Sequence, residues 1–312
     1  MAAMQHAARH ISRLNFAANL SFLFPEIPDF KQRYAAAKEA GFGGVECGAE
    51  IYAIPISELV SVKENSNIIQ VLLNSQVAPS HLVVINYINM FLNYYGLNLN
   101  LIYRNLFSWL IKFLLSGDNY GIAAVPSRAD EFRQCLELSI QYCNALKCKR
   151  MHIMAGQYPE GLNITKEISR SYKETYLNNL KFASQRLELE NIKLLIEPIS
   201  TIPNYFLTRT DQALQILKAL NCKNVFLQLD VYHHQRTHGN IADTISENID
   251  FIGHIQIGQV PGRHEPDQSG EINFQFVFNH LLKVGYTGWI GCEYLPSGPK
   301  TDLSWLKPYL YV

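Results

Sequence analysis

The chain lacks net charge: 27 Lys and Arg offset 27 Asp and Glu, and no basic tract occurs. Nucleic acid is bound largely through phosphate neutralisation, so this balance argues against a nucleic-acid partner. There is no CxxC pair among the six cysteines, at positions 47, 135, 143, 148, 222 and 292. That excludes the common dithiol and thiol-metal motifs and predicts buried, reduced thiols in a cytoplasmic protein. A secretory signal is missing too. The first 25 residues lack acidic side chains and include Arg9 and Arg13. A mitochondrial leader is the alternative for this stretch, which is short and only modestly basic.

Acidic residues are absent over one internal tract, Val77 to Ser116. It is rich in Asn, Leu, Ile, Tyr and Phe and sustains a period of neither 2 nor 3.6. A membrane helix needs about 20 mostly apolar residues. Asn86, Asn89, Asn93, Asn98 and Asn100 break the best window, so a membrane partner is not expected. Two readings remain for the tract: an insertion with its own packing, or translated non-coding sequence.

Around this tract the chain keeps a regular strand–helix rhythm. Strands are predicted at Leu14–Leu20, Gly44–Cys47, Ile68–Asn74 and Arg150–Ala155, then at segments ending at Glu197, Asp230, Gln256 and Glu293. Helices are predicted at Phe30–Ala40, Ile56–Asn65, Ala129–Leu146, Thr165–Asn191, Asp211–Leu220, Ala242–Asn248 and Phe274–Val284, with Thr165 as a cap. Eight strands with helices between them predict a (β/α)8 TIM barrel, an α/β fold of about 250 residues in its usual form. The expected organisation is a disordered extension over 1–12 and a single barrel domain over 13–312, interrupted by 77–116.

Parallel strands point the same way, so their C-terminal ends meet on one face. Four of them end in oxygen-bearing side chains: Glu197, Asp230, Gln256 and Glu293. Three carboxylates and an amide predict a site for a hard divalent cation, Mg²⁺ or Mn²⁺. Nothing calls for an organic cofactor. Such an ion acidifies the proton beside a substrate carbonyl. A carboxylate then moves that proton between neighbouring carbons. Glu197 and Glu293, on strands 5 and 8, are placed to flank a small substrate, and Pro198 biases Glu197 towards extended backbone. His233, just past strand 6, is expected to hydrogen-bond a substrate oxygen. Arg263, in the loop after strand 7, offers a planar fork for a carboxylate. Together these predict a small hydroxy-keto acid as substrate. Glu46 is expected to line the pocket without a catalytic role. His254 is read either as a pocket residue or as a core histidine. A homo-oligomer is compatible with the sequence.

Eight stretches, in order, carry a resemblance. They are Asn15-Phe-Ala-Ala-Asn-Leu-Ser21, Gly41-Phe-Gly-Gly-Val-Glu46, Leu195-Ile-Glu-Pro-Ile199, Gln228-Leu-Asp-Val-Tyr-His233, Gly253-His-Ile-Gln256, Val260-Pro-Gly-Arg-His-Glu-Pro266, Gly270-Glu-Ile-Asn-Phe274 and Gly288-Trp-Ile-Gly-Cys-Glu-Tyr294. The chain resembles the hydroxypyruvate isomerase family of the xylose isomerase-like TIM barrels, over about 13–74 and again from 117. The resemblance implies reversible conversion of hydroxypyruvate to 2-hydroxy-3-oxopropanoate (tartronate semialdehyde). It implies Glu197 and Glu293 as the proton donor and acceptor pair, and Glu197, Asp230, Gln256 and Glu293 as metal ligands. The related sugar epimerases tend to have His at the position of Gln256, so the amide favours the isomerase branch. The departure is the Val77–Ser116 tract, which stands where the family has a short loop over the mouth.

Three rivals follow. One is a keto-sugar 3-epimerase on the same scaffold. A second is a barrel nuclease, which needs a His-rich multi-zinc site and a basic face. The third is a chain made inactive by the 77–116 tract.

Overall fold

Short apolar runs buried on both faces make strands of a parallel sheet. The segment Ile252-Gly-His-Ile-Gln-Ile257, buried at every position, is an example. The computed structural model describes residues 14–76, 120–267 and 269–310. The expected extension over 1–12 and the tract over 77–116 lie outside the described residues. The strands are β1 (Asn15–Asn19), β2 (Gly44–Cys47), β3 (Ile69–Asn74), β4 (Arg150–His152), β5 (Lys193–Ile196), β6 (Val225–Asp230), β7 (Ile252–Ile257) and β8 (Trp289–Cys292). They pair in sequence order, all parallel, and β8 closes on β1 as a barrel.

The helices α1 (Gln32–Glu39), α2 (Ile56–Ser66), α3 (Ala129–Ala145), α4 (Lys166–Leu189), α5 (Thr210–Leu220), α6 (Val231–Thr237), α7 (Ile241–Asn248), α8 (Phe274–Lys283) and α9 (Lys307–Leu310) follow the strands. Thr165 caps α4, its side chain accepting from the Ile168 amide at 3.3 Å. Left-handed Asn67 and Asn221 close α2 and α5, the conformation in which Asn substitutes for Gly at a helix end.

The barrel interior is layered. At its N-terminal end Ala17, Val71, Leu72 and Leu195 pack with Phe226 and Trp289. Two residues further along the same strands the inward positions turn polar, as the period of two requires: Asn19, Asn74, Glu197, Gln228 and then Asp230.

Three details differ from the sequence expectation. Strands β5 and β8 end one residue before Glu197 and Glu293, so both carboxylates sit just past the ladder. Strand β4 ends at His152 rather than Ala155, because Ala155 bridges Gly121 in the returning loop. Helix α6 starts directly after β6 and was not anticipated. Asp230 ends the strand and caps that helix, accepting from the Tyr232 amide at 2.8 Å.

Candidate active site at the barrel mouth

Strand β6 and helix α6 bring Asp230 and His233 together within one turn, and β5 delivers Glu197 beside them. Glu197, Asp230 and His233 are buried, and one polar atom from each lies within 4.8 Å of the others. His233 Nδ1 accepts from the Ser200 amide at 3.2 Å, with Ser200 Oγ at 3.0 Å. A neutral ring that accepts at Nδ1 carries its hydrogen on Nε2. That Nε2 faces Asp230 Oδ2 at 3.5 Å and Glu197 Oε1 at 3.9 Å. In this tautomer His233 is a donor and offers no lone pair to a cation.

Glu293 joins the cluster through Arg263. The Arg263 Nη2 donates to Asp230 Oδ2 and to Glu293 Oε1, both at 2.9 Å, and its Nε donates to the Glu293 carbonyl at 3.2 Å. Its guanidinium lies between two rings, 4.8 Å from the Phe22 centroid and 5.0 Å from that of Tyr232. Nη1 makes no hydrogen bond among the described residues. The Arg263 backbone has φ 55, a left-handed conformation rare outside glycine. Hydrogen bonds of 2.7 Å hold it there, from its own amide to the Gln259 carbonyl and from the Leu295 amide to its carbonyl. Gln259 braces the loop from inside. Its side chain accepts from the Val260 and Ile272 amides and donates to the Asp267 and Ile272 carbonyls, at 2.9–3.0 Å.

Gln256 sits on β7 opposite Asp230 in register. Its Oε1 accepts from Gln228 Nε2 at 2.7 Å, and its Nε2 donates to Glu46 Oε2 at 2.9 Å. Gln228 Nε2 also donates to Glu197 Oε2 at 2.8 Å. His254 Nε2 bonds the other oxygen of Glu46. Across the barrel, His152 Nδ1 lies 3.1 Å from Asn74 Oδ1 and 3.4 Å from Glu197 Oε2.

Three carboxyls and one guanidinium crowd the barrel mouth, and burial penalises the charged forms of the carboxyls. It pushes Glu293 up to about 8, against the opposing pull of Arg263. Glu197 is raised well above the usual carboxylate range, by burial first and then by Glu293 and Asp230. Asp230 is raised by burial, offset in part by Arg263. Burial takes His152 down to about 3, helped by His254. It also lowers His233 well below the histidine range, helped by Arg263 and Arg236. The two histidines are therefore neutral at physiological pH. Two carboxyls raised in this way, Glu293 to about 8, are suited to exchanging protons with a substrate.

The structure thus gathers Glu197, Asp230 and His233 tightly, ties Glu293 in through Arg263, and holds Gln256 in a side-chain network. Sequence reasoning missed Gln228, His152, Ser200, Phe22 and Tyr232. Period-two placement two residues before Asp230 could have flagged Gln228. Phe22 lies in the loop after β1 and Tyr232 in the short helix α6, and neither leaves a local signal.

The chain matches the family described as xylose isomerase-like TIM barrel over residues 34–309. The hydroxypyruvate isomerase of Escherichia coli is 34% identical over 299 residues, covering 95% of this chain and 99% of that one. A Danio rerio protein provisionally named for the same activity is 38% identical over 300 residues, covering 95% of each chain. The 2-oxo-tetronate isomerase of Pectobacterium atrosepticum is 34% identical, covering 95% and 97%. Among solved structures, one described as an AP endonuclease, family 2, from Brucella melitensis superposes with a TM-score of 0.78 at 34% identity, covering 95% and 99%. A closed parallel barrel, acids gathered at its mouth, and identity sustained over nearly the whole length converge on one conclusion: the chain belongs to the xylose isomerase-like TIM-barrel family.

Proposed function

We propose that the protein is an isomerase that interconverts hydroxypyruvate and 2-hydroxy-3-oxopropanoate. The supporting observation is the pair Glu197, buried, and Glu293, half-buried, both raised above the usual carboxylate range, with Arg263 bonding Glu293 and Asp230. One glutamate takes the proton from the carbon bearing the hydroxyl. The other returns a proton to the former carbonyl carbon, and the hydroxyl proton moves to the former carbonyl oxygen. His233 donates its Nε2 hydrogen to a substrate oxygen. Arg263 presents its free Nη1 edge to the substrate carboxylate, and its other edge keeps Asp230 and Glu293 apart from bulk water.

The donor set fits a divalent cation. Glu197 and Asp230 bring carboxylate oxygens within 4.8 Å of each other, a donor chemistry suited to Mg²⁺ or Mn²⁺. Glu197, Asp230, Gln256 and Glu293 would hold it, and it would acidify the proton to be moved. Among the described residues no helix is long and apolar enough to cross a membrane, and we place the enzyme in the cytoplasm.

A second reading rests on the Pectobacterium relative. 2-oxo-tetronate offers the same hydroxy-keto acid chemistry with one more carbon. The sugar 3-epimerase structures that superpose, at 14–17% identity, share the fold alone. The test is turnover of hydroxypyruvate, 2-oxo-tetronate and neutral keto-sugars by the purified chain, with Mn²⁺ and with chelator. Turnover restricted to keto-sugars would overturn the acid-isomerase reading.

A further inference from the structure

A buried chain of hydrogen bonds crosses the barrel beneath the acid cluster, and its direction is fixed at one end. The members are His254, Glu46, Gln256, Gln228 and Glu197, none more than 3% exposed. An amide has two chemically opposite ends that differ little in shape, so its orientation depends on its neighbours. The NH2 of Gln256 faces Glu46 Oε2, so that oxygen accepts. The other Glu46 oxygen is taken by His254 Nε2. The His254 Nδ1 has no partner, which leaves Nε2 as the hydrogen-bearing nitrogen. Both oxygens of Glu46 therefore receive hydrogens, and Gln256 has only one low-energy orientation, with its oxygen turned away from Glu46.

Gln228 reads that orientation. Its NH2 donates to Gln256 Oε1 and to Glu197 Oε2. Flipping it would set an amide oxygen against two acceptors. Its own Oε1 has no partner, so nothing else determines which way it points. The seat is also carved for Glu46: a Cβ at Gly291 would lie 2.1 Å from Glu46 Oε1. Any side chain at position 291 would displace the carboxylate.

We infer that Glu46 and Gln228 are positioning residues whose hydrogen-bond polarity, running from Glu46 through Gln256 and Gln228 to Glu197, aims the Gln256 and Glu197 oxygens at the cation. This rests on the reading of Gln256 as a ligand. A carboxylate is required at 46 and an amide at 228, although neither touches the ion or the substrate. With Glu46→Gln the position-46 side no longer dictates the orientation of the amide at 256, and Gln228 alone is left to hold it.

The test is Mn²⁺ titration of the full chain by calorimetry, with thermal melting in chelator as a check on folding. Glu46→Gln is expected to weaken Mn²⁺ binding about 10- to 100-fold, the usual effect of losing a group that orients a ligand. Gln228→Met is expected to do the same from the other end, and it serves as the test if Glu46→Gln does not fold. The exchange variant Glu46→Gln/Gln256→Glu again pairs one carboxylate with one amide and presents a carboxylate oxygen to the ion. It is expected to recover wild-type affinity. If Gln256→Leu binds Mn²⁺ like the wild type, or the wild type does not bind it, the ligand reading fails and this inference with it. If Gln256→Leu loses Mn²⁺ while Glu46→Gln and Gln228→Met retain it, the ligand reading stands and the polarity claim is overturned. Failure of the exchange variant to recover also overturns it, because charge at position 46 would then be what matters.

Discussion

At the scale of single residues, burial raises Glu197 well above the usual carboxylate range and Glu293 to about 8, which suits both to proton transfer. Glu197→Gln and Glu293→Gln are each expected to lower kcat by about 10²-fold or more, the usual scale for a positioned acid or base. Steady-state turnover of hydroxypyruvate measures this, and full activity in either variant would rule out the two-glutamate mechanism. Arg263→Ala is expected to act mainly on KM. A charged hydrogen bond contributes about 1.5–3 kcal/mol, or roughly 10- to 100-fold in affinity. A fall in kcat at constant KM would contradict the carboxylate role. The glutamates were legible in the sequence because period-two alternation and strand ends fix where a side chain points. The pairing of Arg263 with Asp230 and Glu293 was not, since it depends on how the β7 and β8 loops close on each other.

At the scale of elements, the loop after β7 is held by Gln259. Its four side-chain hydrogen bonds are internal to the loop, and it is almost fully buried. Gln259→Ala leaves backbone groups unpaired, and each buried unpaired group costs about 1–3 kcal/mol. A melting temperature several degrees lower, together with a raised KM, is the expected result. An unchanged KM would separate this brace from Arg263. Helix α6 shows what the pattern could not reveal. A seven-residue helix is too short for a periodic signal, and its first turn exists because Asp230 caps it.

At the scale of the whole molecule, the buried charges make stability depend on pH. A carboxyl whose folded pKa is raised destabilises the fold once it must ionise. Its cost is absent below the unfolded value and complete above the folded one, about 8 for Glu293. A histidine with a lowered folded pKa costs nothing above its unfolded value and destabilises as pH falls below about 6.5. Of these groups, only the carboxyls act between pH 6.5 and 8. In chelator, stability should fall across that window by at most about 1.4 kcal/mol per pH unit for each titrating group, and the melting temperature should fall with it. Glu293→Gln should flatten the fall. A wild-type melting temperature that rises over this window would contradict the buried cluster. The ends flanking the 77–116 tract are both tied to neighbouring elements: the Gln76 amide donates to Ser139 Oγ at 2.8 Å, and Gly121 bridges Ala155. Replacing Val77 to Ser116 by a short Gly/Ser link should therefore preserve the barrel and its turnover. Loss of the cooperative melt in that variant would show the tract to be integral.

The eight-strand parallel order, the face on which the strand ends meet, and four of the oxygen-bearing residues on it could be read from the amino-acid sequence. Those follow from local periodicity and from the common direction of parallel strands. Which side chains touch became visible with the folded barrel. Gln228 between Gln256 and Glu197, Glu46 under His254, and Arg263 between two acids and two rings join residues from different strands and loops. Their distances are set by barrel closure and by burial, and no local pattern encodes either.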